Sequence, residues 1–527
     1  MTETQPCHSR PAASARTGNP GSGHILKNHP ANVQKFPGAG VSVKDFGAVG
    51  DGVHDDTLSI QAALDSGAAH ILIPAGVFVV SNAIMPRTGQ SLEIRGTIKV
   101  ADAHIRLLSA DALAGQPCVE VADAGGFRPG QWVTLLADDS PMWQTRPHAD
   151  GGRIAAVEGN TIFLAGRLTM DYRLAVRPRI ATQPSAIWLD NVSHVRIYGP
   201  GTIDGNKANQ LDVRPTVLEG CGLRADLSIG GAGGEEIRAA CGIAASGAPG
   251  TLEYITIEGI TVRDASEHNL CLTGLVFGRV LNTVCTGCRD KNITLLDSKD
   301  CIIAGNIASL SDHEDGIMFH QKTGNSRILV QGNICSGNPR MGIAAGAMET
   351  EIHFSGNLCS DNGCNLSIGG DDCSSANDAC HGENYMRFAR SAPPPGVSFY
   401  GKGTQVSNLC VSGDRLIHVD LAAKDLIWTG GSVRGTKNAG DNCGINLGES
   451  PCVGKGSVPD GILVRDVSIG ECNVGVRARG EMKNVRLFDV SLAGNDRDIQ
   501  ADSRAAANVE VIGSNGSLSR RVTDKMT

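Results

Sequence analysis

The sequence predicts an all-β protein built as a parallel β-solenoid, in which short strands stack in successive coils. A polar cluster, then Asn or Gly, then an alternating apolar strand recurs in the middle of the chain. Leu270, Ile293, Ile317, Ile343 and Leu366 hold the same place in this repeat, at steps of 23, 24, 26 and 23 residues. Helical patterns of roughly 10–15 residues, which alternate with strands in TIM barrels and Rossmann domains, do not occur.

Gly-Asn pairs are the second observation behind this fold class. Gly305-Asn306, Gly332-Asn333 and Gly356-Asn357 each precede a short apolar stretch. Glycine adopts the positive φ of a sharp bend, and Asn side chains on successive coils can hydrogen-bond to one another. A second strand in each coil is therefore predicted after the corner.

The composition excludes several classes of protein. The 527 residues carry a net charge of -8, and 41% are hydrophobic but only 4% aromatic. No apolar run reaches the ~18–20 residues of a membrane span. The negative charge argues against general nucleic-acid binding, and the 67 glycines follow no fixed triplet, which excludes collagen.

Residues 1–40 are predicted to form a disordered leader, because they are rich in Ser, Pro, Gly and Asn. The stretch from Met1 to Lys35 contains no apolar core of a signal peptide. The expected location is therefore the cytoplasm, the exterior by a non-classical route, or a phage-like particle.

An amphipathic helix is predicted directly after this leader. Asp55-Asp56-Thr57 can cap it, and Leu58, Ile60, Ala63 and Leu64 follow at helical spacing. An open parallel stack exposes unpaired strand edges at its end, so a helix that covers this end is physically expected.

The solenoid is predicted to run from residue 41 to 515 as one long stack, followed by a flexible tail over 516–527. Residues 117–170 interrupt the rhythm, because stretches such as 131–136 and 160–164 resemble hairpin strands, and they are predicted to form a small β insertion. Residues 206–240 and 371–395 are predicted as long loops.

The 17 cysteines are scattered and odd in number. Free Cys behaves as a small buried hydrophobe, so most of them are expected to fill the core in a reducing environment. Cys285 and Cys288 form a CxxC pair, but no second pair stands at zinc-site spacing.

Three segments resemble motifs of the pectate-lyase-like superfamily. Residues 43–57, VKDFGAVGDGVHDDT, are similar to its N-terminal motif. Residues 71–78, ILIPAGVF, match its strand followed by a Pro-Ala-Gly turn, and 201–206, GTIDGN, resemble a later element. The resemblance implies a single-stranded, right-handed parallel β-helix with polygalacturonase, rhamnogalacturonase, epimerase and phage-depolymerase relatives.

The resemblance implies a polysaccharide partner, and it leaves the reaction open because fold does not fix function. A uronate lyase or C5-epimerase, a polygalacturonase-like glycoside hydrolase, and a non-catalytic tailspike-like glycan binder all share it. The Asp-Pro-His of the mannuronan epimerases is replaced here by Leu272-Thr273-Gly274. A monomer and a homotrimer are both compatible with this class.

The candidate site lies where polar clusters enter four successive strands. Coils stack ~4.8 Å apart, so these turns are expected to line one groove. The expected catalytic residues are His320, His313, Glu314, Asp315 and Glu267. The expected substrate-binding residues are His268, Arg289, Lys291, Lys322 and Arg340.

Two chemistries fit these residue types. In a lyase or epimerase, His320 or His313 takes the proton α to the uronate carboxylate, and a cation stabilises the enolate-like charge. In an inverting hydrolase, Glu267 pairs with Glu314 or Asp315 two coils away, at ~9–10 Å. Turn residues of a solenoid are also ordinary solvated positions, which is the competing interpretation.

No cofactor is firmly predicted. Asp371 and Asp372 begin a polar loop that could bind Ca²⁺, although the dense Asp/Asn pattern of a calcium loop is missing.

Overall fold

The structure is a computed structural model of the chain. The described residues belong to one compact unit, Gly38–Thr527. They are 40–139, 142–143, 146–147, 150–211, 240–248, 250–320, 324–382, 394–437, 440–448, 458–506, 508–513 and 518–521. The predicted leader before residue 40, most of the predicted loop 206–240 and most of the predicted tail lie outside them. Most of the predicted loop 371–395 is described, and its first part forms the strands Ser374–Ala376 and Ala379–His381, which pair with the preceding coil.

The N-terminal part contains six strands and the predicted helix. The helix α1 (Thr57–Asp65) buries Ile60, Ala63 and Leu64 against the end of the stack, while Leu58 faces solvent. Asp56 makes no side-chain cap and instead accepts from the backbone N–H groups of the preceding loop. The strands are β1 (Val41–Ser42), β2 (Asp51–Asp55), β3 (His70–Ile73), β4 (Val77–Val80), β5 (Ser91–Ile94) and β6 (Thr97–Val100), and a 3₁₀ helix spans Val43–Phe46.

An antiparallel sheet of six strands, sheet C, interrupts the stack. Its strands pair in the order β7-β14-β9-β12-β13-β8, and it has its own apolar core around Val133, Leu135 and Ile162. Strands β10 and β11 form a separate antiparallel pair. The strands are β7 (Ile105–Leu107), β8 (Cys118–Glu120), β9 (Trp132–Leu136), β10 (Met142–Trp143), β11 (Arg146–Pro147), β12 (Asp150–Glu158), β13 (Thr161–Leu164) and β14 (Arg179–Thr182), and a 3₁₀ helix spans Leu174–Val176.

The first half of the repeating coils follows sheet C. A 3₁₀ helix spans Lys207–Asn209. The strands are β15 (Ile187–Asp190), β16 (Arg196–Tyr198), β17 (Thr202–Asp204), β18 (Ile243–Ser246), β19 (Leu252–Glu253), β20 (Thr256–Glu258), β21 (Thr261–Arg263), β22 (Leu270–Thr273), β23 (Leu275–Val276), β24 (Arg279–Leu281), β25 (Val284–Thr286), β26 (Ile293–Leu296), β27 (Ile302–Ala304), β28 (Ile307–Ser309), β29 (Ile317–His320), β30 (Ser326–Gln331), β31 (Ile334–Ser336) and β32 (Met341–Ala345).

The second half of the coils continues the same pattern to the end of the described chain. A short helix, α2, spans Ser503–Ala506. The strands are β33 (Thr350–Ser355), β34 (Leu358–Ser360), β35 (Cys364–Ile368), β36 (Ser374–Ala376), β37 (Ala379–His381), β38 (Val397–Phe399), β39 (Gln405–Ser412), β40 (Ile417–Leu421), β41 (Ile427–Arg434), β42 (Cys443–Gly448), β43 (Leu463–Arg465), β44 (Ser468–Gly470), β45 (Val474–Arg479), β46 (Val485–Phe488), β47 (Ser491–Ala493), β48 (Arg497–Ala501), β49 (Val509–Ile512) and β50 (Leu518–Arg521).

Two parallel sheets wind around a common core, which confirms the predicted β-solenoid. Within the described ranges, sheet A holds 28 strands, and a typical coil contributes two of them. Sheet B holds twelve strands over the same ranges, one per coil, in the order β15-β18-β22-β26-β29-β32-β35-β38-β40-β42-β45-β48. The core is continuous along the stack.

The predicted register of the repeat is confirmed in sheet B. Leu270 pairs with Ile293, Ile293 with Ile317, Ile317 with Ile343, and Ile343 with Leu366, all in parallel. All five side chains are buried in the core. A shift of one residue would turn them outward, so burial of this face fixes the register.

The Gly-Asn corners form the predicted hydrogen-bonded ladder inside the stack. Nδ2 of Asn306 donates to Oδ1 of Asn333 at 3.0 Å, and Nδ2 of Asn333 donates to Oδ1 of Asn357 at 3.0 Å. The ladder ends on Asp378, whose Oδ1 accepts from Nδ2 of Asn357 at 2.9 Å. Each buried amide is therefore satisfied by its neighbours on adjacent coils.

The described cysteines are free thiols, and most of them fill the core. All are buried except Cys118, which is half-buried, and Cys410, which is exposed. Cys335 pairs in register with Cys359, and Cys359 with Cys380, on successive coils of sheet A. Burial raises the pKa of the Cys285 thiol in the CxxC pair, so this thiol is a poor nucleophile.

Candidate functional site

Turns that precede four neighbouring strands of sheet B bring charged residues together. Because β22, β26, β29 and β32 are in register, the residues just before them also lie side by side. We call this group the ionic cluster. It consists of His268, Asp290, Lys291, Glu314, Asp315 and Arg340.

Lys291 connects two turns of the ionic cluster. Its Nζ lies 3.0 Å from Oδ2 of Asp290 and 2.5 Å from Oε2 of Glu314, one coil further. The ammonium group is thus held between two carboxylates on neighbouring coils. Such charge-assisted contacts are short and fix the geometry of both turns.

Arg340 extends the ionic cluster to the next coil. Its Nη1 lies 2.9 Å from Oε2 of Glu314 and 3.2 Å from Oδ2 of Asp315. The guanidinium side chain is 19% exposed, whereas the two carboxylates are at most 2% exposed. Arg340 is therefore the member of this ion-pair chain that reaches the surface.

His268 lies at the other end of the ionic cluster. The backbone N–H of Lys291 donates to Nδ1 of His268 at 3.3 Å, so Nδ1 carries a lone pair there. The same nitrogen lies 3.4 Å from Oδ2 of Asp290. Because Nδ1 accepts this hydrogen bond and carries no proton, its contact with Asp290 is not an ion pair.

Burial and charge set the protonation states in the ionic cluster. Burial raises the pKa of Asp315 to about 6; Arg340 opposes this shift, and Glu314 adds to it. Burial disfavours the charged forms of Lys291 and Arg340, but the surrounding carboxylates outweigh it and raise the pKa of both. Lys291 and Arg340 are thus permanent cations, and Asp315 titrates close to neutral pH.

Some acceptor and donor atoms of the ionic cluster remain without a hydrogen bond. Within the described residues, Oε1 of Glu314, Oδ1 of Asp315 and Nε of Arg340 are buried and make none. Buried polar atoms are normally hydrogen-bonded, and each exception costs about 1–3 kcal/mol. The ionic cluster therefore keeps unused hydrogen-bonding capacity in its interior.

The other predicted site residues divide into three groups. Glu267 and Arg289 lie buried on the same turns as the ionic cluster, and Nη1 of Arg289 donates to the carbonyl of Leu211 at 3.3 Å. His313 is partly exposed and directly precedes Glu314. His320 lies apart from them.

His320 ends strand β29, five residues and about 16 Å of extended chain from Asp315 at its other end. In register it pairs with Leu296, so it lies at the far edge of sheet B from the ionic cluster. Lys322 lies outside the described residues.

Two further residues lie in this region, and the sequence analysis assigned neither a catalytic nor a binding role to them. Asp290 is fully buried between His268 and Lys291. Lys207, within the GTIDGNKAN element, places Nζ 2.7 Å from Oδ2 of Asp312 and contacts the carbonyl oxygen of Gly287. This contact could not be predicted from sequence spacing, because a long loop lies between the GTIDGNKAN element and the repeat.

No metal centre is found among the residues that the structure describes, since none of their His, Cys, Asp and Glu side chains form a group of three or more fit to hold an ion. Oδ1 of Asp371, which begins the loop considered for Ca²⁺, accepts from the backbone N–H of Lys402 at 2.9 Å. Over the same residues, no helix combines the length and the apolar character needed to cross a bilayer.

The Asp315→Asn variant is expected to change how stability depends on pH. The folded pKa of about 6 lies above the ordinary value of 3.8, so the folded state favours the protonated acid. Asp315 thus contributes stability that is fully present below about pH 4 and is lost as the pH rises through about 6. The loss is on the order of 3 kcal/mol. Urea unfolding between about pH 4 and 7 measures it.

The variant carries a neutral amide at every pH, so the unfolding free energy of Asp315→Asn should rise relative to the native protein across this range. Asp496→Asn is the control, because Asp496 is exposed and its hydrogen bond with Lys437 lowers the pKa of its carboxyl. That control should show a weak trend of opposite sign. Parallel curves for Asp315→Asn and the native protein would show that Asp315 titrates normally.

The stacked sheets and the charged turns define a parallel β-helix protein with one ionic cluster on the edge of sheet B. Residues 40–100 match the family model described as rhamnogalacturonase A/epimerase, pectate lyase-like. This segment contains the first two motifs, residues 43–57 and 71–78, that resemble the pectate-lyase-like superfamily.

Curated relatives cover only parts of the chain. Plasmin and fibronectin-binding protein A of Streptococcus pneumoniae is 36% identical over 185 residues, which are 34% of this chain and 23% of that protein. Mannuronan C5-epimerase AlgE2 of Azotobacter vinelandii is 44% identical over 66 residues, 12% of this chain and 6% of that protein. The chain thus spans less than a quarter of the length of these relatives.

A solved structure shows the same fold over most of the chain. The N-terminal fragment of bacteriophage phi29 gene product 12 superposes with a TM-score of 0.51 and 14% identity. The match covers 92% of this chain and 73% of that chain. At this identity the likeness establishes the fold alone.

Proposed function

We propose that this chain acts on a uronate-containing polysaccharide by proton abstraction, as a lyase or a C5-epimerase. The observation that carries the proposal is the position of Arg340. It is a partly exposed cation, fixed from behind by the buried carboxylates of Glu314 and Asp315, and the partly exposed His313 directly precedes Glu314 in the chain.

Arg340 suits the carboxylate of a uronate unit. Its Nη1 is occupied by two carboxylates, but 19% of the side chain is exposed, so the outer part of the guanidinium can meet a ligand. A guanidinium recognises carboxylates through several N–H groups at once. Because the raised pKa of Arg340 keeps it charged, it can also stabilise the negative charge that develops on the carboxylate when the neighbouring proton leaves.

His313 is the proposed base, because it is the partly exposed imidazole on the turn that supports Arg340. It takes the proton from C5, and the electron pair moves into the enolate-like carboxylate. In an epimerase, a proton then returns to C5 on the opposite face. In a lyase, the electron pair of the enolate forms a C4=C5 double bond while the C4–O bond breaks. The electron pair of the broken bond goes to the leaving oxygen, which takes up a proton.

The partial similarity to mannuronan C5-epimerases supports this reaction class. The similarity to a plasmin and fibronectin-binding protein supports a second candidate, a β-helix that binds without catalysis. For an inverting hydrolase, Glu314 and Asp315 are unsuitable as a pair, since both contact one nitrogen of Arg340 and leave no gap of the ~6.5–9.5 Å required. That alternative depends on Glu267.

Incubation with polymannuronate in deuterated water tests the proposal. An epimerase should place deuterium at C5 of the polymer, detected by nuclear magnetic resonance, because the abstracted proton is replaced from solvent; a lyase removes the C5 hydrogen and leaves a C4=C5 double bond. An unsaturated product that absorbs ultraviolet light identifies a lyase, and an inverted C5 identifies an epimerase. Polygalacturonate is tested in parallel, because the two uronates differ in configuration.

Two outcomes would contradict proton abstraction. New reducing ends with neither deuterium at C5 nor an unsaturated product would show hydrolysis. Binding of either polymer with no chemical change would show that the chain is a glycan-binding protein without catalysis.

A further inference from the structure

Sheet C is inserted at the edge of the stack that carries the ionic cluster. Each turn of the ionic cluster connects the second sheet A strand of a coil with the next strand of sheet B, as in β25 to β26 and β28 to β29. Sheet C begins after β6 and ends before β15, and β6 stacks in line with β17, β21 and β25. Sheet C therefore occupies the same kind of turn as the ionic cluster, on its N-terminal side.

One face of sheet C packs on the outside of the solenoid. Successive side chains of a strand point to opposite faces. Along β9, Val133 and Leu135 lie in the core of sheet C, whereas Trp132 and Leu136 belong to other apolar clusters. The rings of Trp132 and Trp188 stack with their centres 4.8 Å apart. Trp188 lies on β15, the first strand of sheet B, so the two sheets are in direct contact.

An apolar cluster continues from this contact over the first strands of sheet B. It joins Trp132 to outward residues of β15, β18, β22 and β26, namely Trp188, Ala244, Cys271 and Leu296. None of these five side chains belongs to a residue that is more than 6% exposed. The outer face of sheet B is thus occupied by protein at the N-terminal end of the stack.

Sheet C also reaches the turn before β26 through Leu211. The side chain of Leu211 packs with Leu136 and Ala181 of sheet C. Its carbonyl oxygen accepts a hydrogen bond from Nη1 of Arg289 at 3.3 Å. Because Arg289 directly precedes Asp290 of the ionic cluster, sheet C and Leu211 form a wall on the N-terminal side of this cluster.

Little room remains between this wall and Arg340. Arg340 lies on the turn before β32, two steps in sheet B beyond the turn of Arg289. At ~4.8 Å per coil the two turns are about 10 Å apart along the axis. A polymer bound in its middle needs free space on both sides of the reacting unit. Here one side ends after a short distance.

We infer that sheet C stops the polymer, so that the site of Arg340 and His313 takes a uronate polymer by a chain end and acts as an exo-enzyme. This inference rests on the proposed function and adds to it the part of the substrate that reacts. A site open on both sides would instead act on units inside the chain. A given chain end occurs once per polymer molecule, whatever the length of the polymer, and this property provides the test.

Two samples of polymannuronate with tenfold different mean chain lengths are compared at equal mass concentration, below saturation. The initial rate is measured as deuterium uptake for an epimerase or as ultraviolet-absorbing product for a lyase. Polygalacturonate replaces polymannuronate if it is the substrate. The rate is then proportional to kcat/KM and to the concentration of reactive units, so the longer sample, with a tenth as many ends, should react about tenfold more slowly.

A double variant tests whether sheet C causes this preference. Trp132→Ala with Leu136→Ala removes both apolar side chains through which β9 contacts the solenoid, while the core around Val133 and Leu135 stays intact. The ratio of the two rates should fall from about tenfold toward one, as expected when internal units also react. Thermal unfolding shows that the variant is folded. If it is not, Leu136→Ala alone is measured in its place.

Tyr254→Ala is the matched control for the loss of a stacked ring. Tyr254 lies between β19 and β20, at another corner of the coil, and stacks on Phe277 at 5.1 Å. This variant should keep the rate ratio of the native protein.

Each result decides between the two proposals. Equal rates for the long and the short polymer with the native protein would show reaction inside the chain, so the inference would be wrong while the proposed function stands. A folded variant of sheet C with the native ratio would show that sheet C is not the stop. If the native protein changes neither polymannuronate nor polygalacturonate, the proposed function is wrong and the inference is wrong with it.

Discussion

Replacing Lys291 by methionine is expected to lower the free energy of unfolding by about 3–5 kcal/mol. Methionine retains most of the apolar stem of lysine, so packing changes little. The ammonium, however, is the partner of Asp290 at 3.0 Å and of Glu314 at 2.5 Å, and both carboxylates are almost fully buried. Without the ammonium group, the carboxylates of Asp290 and Glu314 remain charged in a low-dielectric interior with one cation fewer to balance them.

Urea unfolding at neutral pH measures the loss for Lys291→Met. The defect should shrink as the pH falls and the buried carboxylates take up protons, because a neutral acid needs no counter-charge. Lys437→Met is the matched control, since Lys437 pairs with Asp496 at 2.7 Å on the surface. An exposed pair of this kind contributes less than about 1 kcal/mol. Equal losses in the two variants would show that burial of Lys291 is unimportant.

The fold could be predicted from the sequence because its strongest signals are local and periodic. Leu270, Ile293 and Ile317 recur at nearly constant spacing, and a slip of one residue would expose all of them. The Asn ladder follows from the same spacing, because Asn306 and Asn333 repeat with their strands. The register of each coil can therefore be predicted from that of the coil before it.

The candidate site could be predicted only in part, because burial of a turn is not a local property. The repeat places Lys291, Glu314 and Arg340 on neighbouring turns. Charged residues in turns are normally solvated, so the sequence gives no reason to expect Lys291 and Glu314 to be nearly inaccessible. Asp290 received no role for the same reason.

The position of His320 shows a second limit of sequence reasoning. The repeat assigns it correctly to strand β29, but the length of that strand separates it from the charged turn. The contact of Lys207 with Asp312 shows the reverse case, since residues more than a hundred positions apart meet. Such contacts depend on the path of the whole chain and leave no periodic trace.

Replacing His313 by glutamine is expected to lower the rate of proton abstraction from C5 by about 10²–10⁴-fold, measured as deuterium uptake for an epimerase or as unsaturated product for a lyase. Glutamine can keep a hydrogen bond at this position, but it cannot take up a proton at neutral pH. His313 is partly exposed, so the variant should keep the unfolding transition of the native protein. The rate is measured on polymannuronate, or on polygalacturonate if that is the substrate.

The remaining histidines show whether the effect belongs to His313. His353→Gln is the control for loss of an exposed imidazole, because His353 lies on sheet A and contacts Oγ of Ser374 at 2.9 Å. It should leave the rate unchanged. His320→Gln tests the other base that the sequence predicts. A large loss in His320→Gln together with a normal rate in His313→Gln would move the reaction from the charged turn to the far edge of sheet B, and Arg340 would then lose its proposed role.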